Sequence, residues 1–314
     1  MLNRASRLLD RQLPHRQVPP NPLLEYELRK LGDNCSEVKL SAYSLSAIKA
    51  LLLIAALGGP LWLLLDSITR HYDNSTFAER TASTFAGLGF IAVALGLPYT
   101  LITDCHYMLT TVHSISRNIE TGLWEMLRLT PLSESHLIGA KYAVAQARLW
   151  QVMISSTAIH ALSVMLWSIA LMAQLVAPGP YSNYGARSIL LVLVSSAIIS
   201  TGWVAEPFWR MRAFVAAALA ISAYRSTGML SDLVGILSVV GLRVVQIALI
   251  SSVSLLLFSF LALGPDVMDD AQNQASFVLV PLLLLIIGVV VYGFYRVVAA
   301  LSLKLAATIA FRSE

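Results

Sequence analysis

The sequence predicts an all-α integral membrane protein with about six transmembrane helices and both termini cytoplasmic. Three observations predict it. Of 314 residues, 57% are hydrophobic and only 13% charged, against roughly a quarter charged in a soluble domain. Mean hydropathy is +0.70, and several uncharged runs reach the roughly 20 residues that carry a helix across a bilayer. The basic residues are also unevenly placed. Loops assigned to the outside (66–80, 177–187 and 264–276) hold only Arg70, Arg80 and Arg187 of the 22 Lys and Arg. The rest fall inside or near the inner face, as the positive-inside rule requires. The net charge of +4 therefore reports orientation, not nucleic-acid binding.

The first twenty residues carry Arg4, Arg7, Arg11 and Arg16 without the apolar core of a cleavable signal. The first membrane helix is expected to direct insertion. Asn21 to Gly32 is signed as a short helix: Asn21 caps it, Pro22 fits its first position and Gly32 ends it. Leu24, Leu28 and Leu31 form an apolar stripe, with Glu25 and Arg29 on the wet side. Such a helix lies flat at the membrane interface.

The first span is predicted over about Ser46 to Leu65 and the second over about Thr81 to Thr103, where Gly87, Gly89 and Gly96 allow close packing. Asp104, Cys105, His106 and His113 follow. Adjacent Cys105 and His106 point in different directions on a helix, so a polar helix end is expected rather than a metal site. Cys35 and Cys105 both fall on the cytoplasmic side, where a structural disulfide is not expected. The third span runs from about Lys141 to Val176 and contains His160, an intramembrane histidine open to a functional or a packing role. The fourth covers about Ser188 to Ala205. It ends at Glu206-Pro207-Phe208-Trp209-Arg210-Met211-Arg212, an aromatic and basic interface signature. Ala213 to Tyr224 is apolar but too short to span, and is expected to be interfacial or re-entrant. The fifth span covers about Val244 to Leu263, with Arg243 on its cytoplasmic approach, and the sixth about Phe277 to Tyr295.

One polar stretch, Arg117 to Lys141, separates long apolar runs and must sit at a membrane surface. Leu123 and Leu127 are four apart with Trp124 beside them, on one side of a short helix whose Glu120, Glu125 and Arg128 are available to water. Thr130 precedes Pro131, so the helix breaks there and a second begins, with Thr130 as its expected N-cap. The order Glu120-x-Gly122-x-Trp124-Glu125-x-Leu127-x-x-Thr130-Pro131-Leu132-Ser133 resembles the cytoplasmic loop of membrane subunits in the type-two ATP-binding-cassette exporter family. That family often has Thr where this chain has Leu123. The Asn-Pro-x-x-x-x-Glu-Leu-Arg segment at Asn21 to Arg29 is similar to one that precedes the first span in such exporters.

The resemblance implies a coupling helix between spans two and three, resting on a separate ATPase subunit. Glu120, Gly122, Leu123, Trp124, Glu125, Leu127, Thr130 and Pro131 would form the contact, and Leu24, Glu25, Leu28 and Arg29 the interface helix. Trp124 and Leu127 would fill a groove on the ATPase, and Trp124 would be exposed in its absence. Residues 1–45 would then form a cytoplasmic tail with the interface helix. Residues 46–300 would form the transmembrane domain with the coupling loop at 105–141, and 301–314 a cytoplasmic tail. Two membrane and two ATPase subunits would assemble in the cell (inner) membrane. ATP and Mg would be bound by the partner, with no cofactor in this chain.

No phosphate-binding Gly-x-x-x-x-Gly-Lys-Ser/Thr loop, His-Glu-x-x-His or Gly-x-Ser-x-Gly occurs in the sequence. The chain is expected not to be an enzyme by itself. Its charges gather at the ends of the spans, which disfavours an intramembrane protease, a transferase or a secondary transporter. The alternative is a non-transporting structural or assembly subunit of a larger membrane complex.

Overall fold

A computed structural model describes residues 77–130, 133–176, 186–224, 229–262 and 269–312. Among them the secondary structure is helical throughout, with no strand: α1 (Phe77–Thr111), α2 (Ser116–Glu120), α3 (Leu123–Arg128), α4 (Glu134–Val176), α5 (Ala186–Ala223), α6 (Met229–Ala262) and α7 (Asp269–Arg312). Five helices are long and apolar enough to cross a membrane, which is consistent with a multi-pass membrane protein. Predicted spans two, three, four and six fall within α1, α4, α5 and α7, and span five within α6 as far as Ala262. The first span, the interface helix with Leu24, Glu25, Leu28 and Arg29, Cys35, Pro131 and most of the loops assigned to the outside lie beyond the described residues.

The helices are far longer than a membrane requires. The 38 residues of α5 extend about 57 Å at the α-helical rise, against a hydrocarbon core of about 30 Å. The surplus collects at one end of the bundle, where α1, α5 and α7 finish and α4 and α6 begin. There Ile115, Ile138, Leu219 and Ala306 share one buried cluster. His113 Nε2 meets Asp232 Oδ1 at 2.9 Å, tying the end of α1 to the start of α6. A second cluster, around Tyr107, Leu149, Met211, Phe214 and Val239, continues this packed base. Away from the base the bundle turns its apolar side chains outward: Phe90, Ile91, Trp167, Leu190, Leu282 and Leu285 are all exposed. Such a skin is unfavourable in water, at roughly 25 cal/mol per Å², and suits hydrocarbon.

Two expectations from the sequence are corrected here. Ala213–Ala223 is not a separate interfacial or re-entrant segment but the last part of α5, which runs unbroken through Pro207. Its apolar residues serve the base: Ala213, Phe214, Val215, Ala218 and Leu219 are buried against neighbouring helices. The aromatic and basic run Glu206 to Arg212 pointed to a helix end, but the helix continues, because one supported on several sides tolerates the backbone bond lost at Pro207. Likewise α6 starts at Met229, well before the predicted span.

Close approaches appear where glycine permits them. A Cβ on Gly89 would lie 3.0 Å from the Trp167 ring, and one on Gly96 3.6 Å from Ile159, whereas Gly87 faces open space. The tightest is Gly235 of α6, where a Cβ would lie 2.9 Å from Met108 Cγ of α1.

Candidate functional site

The Arg117–Ser133 stretch folds as two short helices joined by a glycine turn. Thr121 N–H donates to Arg117 O at 3.1 Å and Gly122 N–H to Ile119 O at 3.1 Å, closing α2. Gly122 then takes φ 69°, a left-handed conformation costly for any side-chain-bearing residue, and α3 starts in a new direction. The start of α2 is held from below, since Ser222 Oγ of α5 accepts from the Ile115 and Ser116 N–H groups at 2.8 and 3.1 Å. These are the orphan donors of a helix N-terminus.

Trp124 points inward, against the sequence expectation. It is only 3% exposed, packs with Leu219, Ala220, Ala306 and Ala310, and its Nε1–H donates to Ala310 O at 3.4 Å. Leu127 packs on the same cluster and Leu123 is half-buried. One helical face holds Leu123, Trp124 and Leu127 as the spacing predicts, but that face meets the ends of α5 and α7. A tryptophan this close to a ready apolar surface within its own chain is buried there. The opposite face carries exposed Glu120, Thr121 and Glu125, with Met126 at 68% and Leu129 at 88% exposure. Thr130 is also re-assigned: its hydroxyl donates back to Leu127 O at 2.6 Å. The next helix is opened instead at Ser133, whose carbonyl accepts from His136 and Leu137 N–H.

Behind this loop lies a group of residues the sequence did not bring together. Asp104 of α1 and Arg210 of α5 are buried to within 1% of completely. Arg210 Nη1 donates to Glu206 Oε2 at 2.7 Å, one turn back on α5. Arg243 of α6 donates through Nε to Asp104 Oδ2 at 2.8 Å and reaches Glu206 Oε1 with Nη1 at 3.5 Å. The Tyr295 hydroxyl of α7 donates to Glu206 Oε1 at 3.0 Å, and Arg210 Nη2 donates to Ser156 Oγ of α4 at 3.2 Å. Arg210 Nε is also 2.8 Å from Asp104 Oδ1. That contact is poorly aligned for a hydrogen bond and counts as an ion pair. Each carboxylate thus meets both guanidiniums, and the four charges cancel. Every long helix contributes a member.

The sequence placed the charges at the span ends but not in contact. They do lie near those ends, but four of them converge. Glu206 and Arg210, four apart on one helical face, were the only legible hint. The rest depends on residues up to 139 positions apart.

Above the cluster is a cavity of about 350 Å³. Glu206, Arg210, Arg243 and Gln246 reach it at the base end, while Ala92, Ile199, Ile250 and Leu284 line it farther up. His160 lies in its wall. The Nδ1–H of His160 donates to Ser156 O at 2.7 Å, and its ring stands 4.9 Å from that of Trp203. A second cavity of about 620 Å³ adjoins it between α5 and α7, with Ile198, Gly202, Trp209 and Gly288 common to both.

Comparison with protein-family models, curated proteins and solved structures finds no match to this chain.

Proposed function

We propose that this chain is the membrane-spanning permease subunit of an ATP-binding-cassette exporter, driven by a separate cytoplasmic ATPase subunit and paired with a second membrane subunit. The observation that carries the reading is the two-faced α2–α3 loop. Its inner face is bolted by Trp124 to the ends of α5 and α7. Its outer face leaves Met126 and Leu129 exposed, flanked by Glu120 and Glu125. Force applied to the outer face is therefore delivered to two long helices that border the charge cluster and the cavity. The resemblance of Glu120 to Ser133 to the exporter loop supports the same reading. The docking contacts are reassigned accordingly. Met126 and Leu129 would fill an apolar socket on the ATPase, and Glu120 and Glu125 would meet a basic rim that favours correct docking. Trp124 and Leu127 act from within, as the seat of the loop.

The fourfold charge pairing fits a moving part. Because each carboxylate touches both guanidiniums, the helices can shift while every charge keeps a partner, which lowers the cost of a second arrangement. ATP-driven closure would bias that equilibrium through the loop.

The test is capture of ATP-hydrolysing activity on the purified full chain. Leu129→Asp and Met126→Asp should abolish capture while the unfolding midpoint of the membrane subunit stays put. Unchanged capture in both variants, or none by the parent chain, would remove the exporter reading and favour the structural-subunit alternative. A second reading, ion-coupled transport without an ATPase, is favoured by the buried Asp104 and Arg210 and the partly buried Glu206 and Arg243 beneath a cavity. Transport in vesicles that persists without ATP and stops with an ionophore would select it.

A further inference from the structure

The cavity and its side groove together describe a ligand. The cavity volume, about 350 Å³, falls in the range of roughly 300–1,000 Å³ usual for small-molecule sites. Its charged lining is gathered at one end; His160, Ser163 and the Trp203 ring stand along the wall, already bonded or stacked among themselves, and Ala92, Val93, Ile199, Ile250 and Leu284 make the rest aliphatic, which matches an amphipath placed head-down. The head is constrained by charge. Asp104, Glu206, Arg210 and Arg243 already neutralise one another. A head with net charge would have to draw one of them away and leave another buried charge unpaired, which is strongly unfavourable. A neutral head disturbs no pairing. It can hydrogen-bond to Arg243, whose side chain keeps 20% exposure, and to its neighbour Gln246.

The groove supplies the way in. Among the described residues it is lined by α5 and α7, and Val194, Leu285 and Val289 of that lining are exposed on the apolar skin of the bundle. It therefore opens toward lipid rather than toward water. Gly202 and Gly288 border both cavities, and a Cβ on either would meet nothing within 4 Å. The passage is open at both glycines, so side-chain carbon placed there would narrow it.

We propose that this cavity binds a single-chain amphipath with an electrically neutral, hydrogen-bonding head, admitted from the bilayer between α5 and α7. The inference deepens the transport reading by naming a cargo class, and rests on that reading only for the role of cargo, because binding is measured without ATP.

The experiment uses the full chain in lipid nanodiscs and three photoreactive probes with the same diazirine-bearing alkyl chain. One is a monoacylglycerol, one the corresponding fatty acid and one the corresponding quaternary amine. Labelled peptides are mapped by mass spectrometry. The monoacylglycerol should label the cavity faces of α5 and α7, around Gly202 and Gly288. Gly202→Leu and Gly288→Leu should each reduce this labelling by about tenfold or more, with unchanged unfolding midpoints. The charged probes should label outer surfaces only. Equal cavity labelling by all three probes, or labelling by the monoacylglycerol confined to outer faces, would overturn the proposal whether or not either variant folds. Undiminished labelling in a folded Leu variant would do the same. Cavity labelling without ATPase capture would sink the exporter reading and leave this inference standing, and the reverse result would do the opposite.

Discussion

Arg210 of α5 places its Nε 2.8 Å from Oδ1 of Asp104 on α1, and neither side chain is more than 1% exposed. Arg243 of α6 holds the other oxygen of the same carboxylate. Asp104 is thus the point where three long helices meet, and its charge is what makes the buried Arg210 guanidinium and the partly buried one of Arg243 tolerable.

Removing that carboxylate should be strongly destabilising. Asp104→Ala leaves Arg210 and Arg243 sharing Glu206 alone, and a cost of about 3–5 kcal/mol is expected. Asp104→Asn combined with Arg243→Gln restores neutrality and should cost less than the two single changes added together. Denaturation of the purified chain in detergent measures both. A double variant no better than the sum would show that the four charges do not act as a unit.

The loop should separate into a seat and a free face. Trp124→Ala empties a packed site at the ends of α5 and α7 and should lower stability by about 3–5 kcal/mol. Leu129→Ala, at an exposed position, should stay within about 0.5 kcal/mol of the parent. Equal unfolding midpoints for the two variants would mean that the loop is not seated on the base.

Ser222 should lock the start of α2. With Ser222→Ala, the N–H groups of Ile115 and Ser116 lose the oxygen they share, at an expected cost of about 1–3 kcal/mol. Amide exchange at Ile115 and Ser116 should accelerate while the middle of α4 remains protected. Protection unchanged at both amides would refute the lock.

Two glycines on α6 should respond in opposite senses. Gly235→Ala forces a methyl against Met108, an overpacking expected to cost about 1–3 kcal/mol. Gly241 has open space around it, and Gly241→Ala should be neutral or stabilising by up to about 1 kcal/mol, since alanine loses less backbone freedom in a helix. Similar effects at the two sites would argue that α6 does not approach α1 as closely as described.

The parts of this protein that were legible in the sequence are those set by local pattern. Apolar runs placed five of the spans within helices that cross the bundle, because hydrocarbon demands long uncharged helices whatever they pack against. The Leu123, Trp124 and Leu127 spacing put three side chains on one helical face, whereas the left-handed turn at Gly122 that separates α2 from α3 emerged only in the structure. Local pattern also misled at two places. The aromatic and basic run Glu206 to Arg212 suggested a helix end inside α5, and Thr130 suggested a cap that Ser133 supplies.

What the sequence determined alone is therefore a chain of long apolar helices interrupted by one polar loop that carries a short helix. Only the tertiary structure decided which way that loop faces. Trp124 could have pointed to a partner or to its own bundle, and the nearby ends of α5 and α7 made the second choice available without the cost of association. The meeting of Asp104, Glu206, Arg210 and Arg243 was likewise decided only in three dimensions. Each looked like an ordinary charge near a helix end. Their shared site exists because the long helices extend past the apolar region to the same end of the bundle, where a charge once buried requires another to answer it.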